Sequence, residues 1–162
     1  MKIADVLVVA SLAAVLSSGP AAGQAGTPGA GCGNATTPCD VGRADPLRKI
    51  LLDALRPAIE SDLGQPVQFV VMTLRVQVPW AFAIVTPQTK AGREIDFSKT
   101  RHAERVRMGV FDHPGNIHAL LLKTDSRWLL RDFAVGPTDV HYAGWPERFG
   151  VPHRLLGMSK PD

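Results

Sequence analysis

The chain is short of most features that announce a chemistry. Of its 162 residues two are cysteine and one is tyrosine. No Gly-x-Ser-x-Gly elbow is present to carry a nucleophilic serine. The five histidines, His102, His113, His118, His141 and His153, form neither a His-x-His nor a His-Glu-x-x-His pair. Asp112-His113 and Asp139-x-His141 are the nearest approaches to a metal-ligand interval, so the expectation is no metal and no cofactor. There is no internal repeat. The charges nearly balance, 18 basic against 15 acidic, which excludes a strongly polyelectrolyte protein. The longest apolar run, Ile3 to Leu16, falls short of the roughly 20 residues a membrane helix needs, so no transmembrane segment is expected.

What is present is ordinary globular composition, 45% apolar and 20% charged, with many glycines and prolines (15 and 13). The first residues, MKIADVLVVASLAAVLSSGPAAGQA, combine a lysine, that apolar run, a Gly-Pro break and small residues. This is the pattern of a secretory signal peptide over residues 1–25, with cleavage near Gly23 or Ala25. Cys32 and Cys39 follow shortly after. In an oxidising compartment two such thiols form a disulfide, and a lone pair without a neighbouring histidine does not complete a zinc site. The pair sits in a Gly/Thr/Pro-rich stretch, residues 26–43, which reads as a flexible linker stapled by the bridge. The protein is therefore expected in the periplasm or outside the cell.

One domain, residues 44–156, follows, with 157–162 as a tail. Asp45-Pro46 begins a helix as cap and first residue, and Leu47, Ile50, Leu51, Ala54, Leu55, Ala58, Ile59 and Leu63 recur at helical spacing up to Gly64. Pro57 inside that pattern predicts a kink or a split. Val67 to Val78 alternates, predicting a strand with Val70, Met72, Leu74, Val76 and Val78 on one face. Trp80 to Thr86 predicts a second, with Trp80, Phe82 and Ile84 toward the core and Ala81 and Ala83 opposite. Val106, Met108 and Val110 suggest a short third strand. Ile117–Lys123 and Trp128–Val135, joined by the turn residues Thr124 to Arg127, read as a hairpin apolar on both faces, and so either covered on both sides or covered on one and used for contact on the other. Its pairing groups Ile117, Ala119 and Leu121 with Trp128 and Leu130, and Leu120 and Leu122 with Leu129 and Phe133. Thr138 or Asp139 is placed to cap a short helical segment through Tyr142, Trp145 and Phe149.

This order predicts an α+β fold: an N-terminal kinked helix on a four- to five-stranded antiparallel sheet, with a short C-terminal helical segment. In outline it is similar to the cystatin-like and NTF2-like helix-on-sheet groups. The tail GPTDVHYAGWPERFGVP, with WAF earlier, resembles small exported bacterial proteins of uncharacterised families. That resemblance spans about Arg43 to Leu156 and implies no particular active site.

Charge gives the clearest functional lead. Between Pro87 and Arg107 six bases (Lys90, Arg93, Lys99, Arg101, Arg105, Arg107) face three acids (Glu94, Asp96, Glu104), so this stretch carries the whole chain's net +3. A long excursion in a small domain is commonly functional. Arg101, Arg105 and Arg107 are the candidate residues for an anionic envelope component or an acidic protein partner; nucleic acid is not expected, since only Phe97 is available to stack. Trp80 and Trp128 are candidate pocket residues, and Asp139 and His141 candidate ligand contacts. The leading reading is an exported, non-catalytic binding or interaction module. The alternative is a small hydrolase- or isomerase-like enzyme with a pocket on the sheet face, drawing on His118, Asp132, Asp139 and His141.

Overall fold

The computed structural model describes residues 31–159; the expected export signal and its cleavage positions lie outside them. The chain forms a five-stranded antiparallel meander whose spatial order equals its sequence order: β1 (Cys39–Asp40), β2 (Val67–Gln77), β3 (Trp80–Thr89), β4 (Ile117–Thr124) and β5 (Arg127–Val135). Helix α1 (Pro46–Leu63) lies on one face, against β2, β4 and β5. Two short helices, α2 (Ala103–Arg107) and α3 (Trp145–Phe149), belong to the β3–β4 excursion and to the C-terminal segment. The architecture is α+β.

Helix α1 starts where its cap demands. The Asp45 carboxylate accepts hydrogen bonds from the Leu47 amide and from the Cys32 amide, both at 2.9 Å. One side chain thus serves the helix start and holds the preceding segment. Leu51, Leu55 and Ile59 are essentially inaccessible, and each contributes about 2 kcal/mol by leaving water. Gly64 closes the helix in the left-handed conformation, φ 68°. Pro57 does not split the helix: it lies within one uninterrupted 18-residue element, on the exposed side. Arg56 and Glu60 do not pair with each other along the helix. Arg56 donates to the Val67 carbonyl (2.6 Å) and Glu60 accepts from the Val67 amide (3.0 Å), so both tie the helix to the start of β2.

The expected single apolar face of β2 is broken by a bulge. Register shifts between Val71 and Thr73, so Val67, Phe69 and Val71 face the helix before it, and Leu74 and Val76 after it. Val70 and Met72 are left 47% and 61% exposed. A second bulge between Leu120 and Leu121 leaves Arg131 unpaired. It moves Phe133 to the helix side, with Trp128 and Leu130, rather than to the side of Leu120. An extra residue reverses side-chain parity from that point onward.

Both faces of the sheet are cores. Ala81, Ala83 and Val85 of β3 belong to the helix-side core. Trp80, Phe82 and Ile84 point the other way, with Leu120, against Tyr142, Trp145, Phe149, Val151, Leu155 and Leu156 of the C-terminal segment. Trp145 is 1% exposed and donates its indole N–H to Asp132 at 2.9 Å. The turn His141–Gly144 and helix α3 behind Asp139 carry no side-chain cap; burial of Trp145 holds them in place of the expected Thr138 or Asp139.

The stretch expected as a linker is, from Cys32 onward, part of the domain. Cys32 and Cys39 form a disulfide, β1 pairs Cys39 with Val76 on the edge of β2, and Cys32 and Val41 are buried in the helix-side core. Alternating small and polar residues concealed this, since a two-residue strand has no period to read.

Candidate functional site

The β3–β4 excursion is a folded unit rather than a bare loop. After β3 ends at Thr89 the chain makes a turn at Phe97–Lys99 and then helix α2, where the sequence suggested a strand. Ile95 and Phe97 are buried. Phe97 meets Phe111 at 4.6 Å between ring centroids, and His102 lies 5.7 Å from Phe111. Polar ties fix this aromatic cluster to the scaffold. His102 Nε2 is 2.5 Å from an Asp62 carboxylate oxygen near the end of α1. Arg105 donates to the carbonyls of Val135 and Gly136, both at 2.8 Å, and its guanidinium stands 5.2 Å from the Phe111 ring centre.

Two glycines make room for the rings. A Cβ on Gly115 would fall 2.1 Å from Phe97, and one on Gly136 would fall 2.4 Å from Phe111; both glycines have positive φ, 80° and 54°. Only glycine meets both conditions. A cavity of about 430 Å³ opens over the rings, floored by Ile95, Phe97 and Phe111 and rimmed by Val106, Glu94, Asp96, Ser98 and His113. Beside it, about 540 Å³ of open cleft runs past Leu63 and Gly64 at the C-terminus of α1, with Thr89, Arg93 and Lys99, and shares Glu94 and Asp96 with the first. Hydrogen bonds from Ser98, then from Lys99, hold the Asp96 carboxyl below its ordinary value, so it is charged at neutral pH.

The three expected arginines do not line either cavity. Arg101 and Arg107 are exposed and lie near Asp62 (3.4 Å) and Glu104 (2.9 Å). Arg105 is committed to main-chain carbonyls. Trp128 is buried in the helix-side core, with Lys123 Nζ 5.9 Å from its ring centre, and Trp80 packs in the opposite core. The two tryptophans therefore line no common pocket.

Polar groups also gather on the tail side of the sheet, only in part as expected. Asp132 bonds Trp145, lies 3.4 Å from Arg148 and 3.7 Å from His141 Nε2. His118 lies one cross-strand row away, since Leu120 is the residue opposite Asp132. Its ring centre is 5.1 Å from that of Tyr142, and its Nδ1 is buried without a hydrogen-bond partner. Burial, then the proximity of His141, pushes the His118 pKa down, with Asp112 opposing; the imidazole is neutral at pH 7. The Asp139 side chain is exposed; it is the Asp139 backbone carbonyl that accepts from the His141 amide, at 2.8 Å. Among the described residues no group of three His, Cys, Asp or Glu side chains is placed to hold a metal ion.

Comparison with family models, with curated proteins and with solved structures returns no match. The cavity residues Ile95, Phe97, Phe111, Glu94 and Asp96 were missed by sequence reasoning as a site. The available signal was slight: two large apolar residues two apart, Ile95 and Phe97, in an otherwise polar stretch, and a glycine at the end of each flanking turn.

Proposed function

We propose that the protein is an exported, non-catalytic binding module that takes its ligand in the cavity of the β3–β4 excursion. The observation that carries this is the aromatic floor of Phe97 and Phe111, seated where Gly115 and Gly136 leave space for it. Its volume falls in the range of roughly 300–1,000 Å³ usual for small-molecule sites, and an apolar floor with a few rim groups is their usual make-up. The Cys32–Cys39 bridge supports an oxidising compartment, and among the described residues no helix is long and apolar enough to cross a membrane. The exposed Arg101 and Arg107 support an anionic envelope component as the surface on which the module works.

The test uses a neutral apolar dye, Nile red, with the intact protein and with Val106→Trp, which fills the cavity mouth from an exposed helix position. We expect dye fluorescence to rise with the parent protein and to fall about tenfold in affinity with the variant, the size of effect expected from obstructing an apolar contact. Equal binding by both excludes the cavity as the site.

A second reading rests on His118. A neutral imidazole with one buried, unpartnered nitrogen beside Tyr142 has the make-up of a proton acceptor, in keeping with a hydrolase- or isomerase-like enzyme. Turnover that survives His118→Gln in folded protein would exclude that assignment.

A further inference from the structure

The charge around the cavity is opposite to that of the stretch that builds it. The excursion is net basic, yet Arg101 is directed to Asp62, Arg105 to the carbonyls of Val135 and Gly136, and Arg107 to Glu104. The groups shared by the two cavities are Glu94 and Asp96; Arg93 and Lys99 line the adjoining cleft beside them. Asp96 is already served by Ser98 and by Lys99 at 2.9 Å. Glu94 is not: the nearest basic side chain is the His113 imidazole at 3.9 Å, beyond hydrogen-bond reach, and the Glu94 side chain is 72% exposed. The adjoining wall is the C-terminal end of α1, Leu63 and Gly64, where the carbonyl dipoles of an 18-residue helix favour positive charge.

From this juxtaposition we infer that the ligand is a small amphiphilic cation: an aromatic or branched apolar group seated over Phe97 and Phe111, carrying an amine that reaches Glu94 at the helix end. The inference rests on the binding-module reading and adds the charge of the ligand to it. An anion seated over Phe97 and Phe111 would meet the two rim carboxylates, while Arg93 and Lys99 belong to the adjoining cleft. A neutral apolar molecule would fill the floor and leave Glu94 without a role.

Three probes of equal size separate these cases: phenethylammonium, 2-phenylethanol and phenylacetate, titrated into the full chain and followed by the NMR resonances of Phe97, Val106 and Phe111. The expected result is binding of all the apolar rings to the same residues, with the ammonium favoured over the alcohol by about fivefold, as an exposed ion pair gives, and phenylacetate weakest. That preference is expected to shrink in 0.5 M salt, where charges are screened at roughly 4 Å. It is expected to vanish in Glu94→Gln, an exposed and conservative change, with binding of the alcohol unaltered. Equal binding of the three, or a preference for phenylacetate, overturns the cation while leaving the cavity as the site. If none of the three moves these resonances, the cavity assignment falls with it.

Discussion

Gly115 and Gly136 are the residues on which the excursion closes. Replacing either by alanine sets a methyl group within 2.4 Å of an aromatic ring and holds a non-glycine residue at positive φ. The second effect alone is worth about 1–2 kcal/mol, and displacing the ring adds to it. We expect Gly136→Ala to lower unfolding stability by about 2–4 kcal/mol, read from the denaturant midpoint, and to remove Nile red binding; stability within error of the parent protein refutes this account of the floor. His118 gives a second residue-scale prediction. Its folded pKa lies below its ordinary value of 6.5, so the folded state resists protonation. The associated stability is present above pH 6.5 and is lost as pH falls through the lowered value. The parent protein should lose more stability than His118→Gln on going from pH 7 downward, and parallel curves would show that His118 contributes nothing. The glycine sites show how much of the candidate site was legible. Gly115 and Gly136 read as turn residues, which they are, but the rings that need their missing Cβ atoms come from other elements, and that relation is tertiary.

At the scale of elements, the edge of the sheet depends on β1, two residues long and held by the Cys32–Cys39 bridge and the Asp45 carboxylate. The bridge spans seven positions, and closing so small a loop restricts the unfolded chain by about 2 kcal/mol. Cys32→Ser with Cys39→Ser should therefore lose about 2 kcal/mol and raise amide exchange at Val41, Leu74 and Val76 before the rest of the sheet. Uniform loss across all strands would argue against a local role. The strands and the hairpin were legible because their apolar runs and turn residues are local. Their faces were less so. One residue inserted at Met72 and one at Arg131 reverse parity, and nothing in a run such as Val70-Val71-Met72 marks which residue bulges. Likewise the Val106, Met108 and Val110 alternation fits a strand, but Ala103 to Arg107 winds into a helix so that Arg105 meets the carbonyls after β5 while Val106 faces the cavity.

For the whole molecule, Arg101 and Arg107 lie on the exposed surface of the excursion, outside the lining of the cavity that carries Glu94 and Asp96. If Arg101 and Arg107 meet an anionic envelope component, Arg101→Glu with Arg107→Glu should abolish salt-sensitive binding to vesicles rich in phosphatidylglycerol while leaving Nile red uptake unchanged. Binding that persists excludes those residues. Arg105 is left intact in this test because it fastens α2 to the strand end. The meander has a further consequence for a protein read as exported. Each strand from β2 to β5 bonds only to its chain neighbours, so the sheet can grow one hairpin at a time as polypeptide emerges, with no early strand waiting for a distant late one. Low separation between paired residues goes with assembly on the order of milliseconds, and a chain that folds so promptly spends little time with its strand edges open to other molecules.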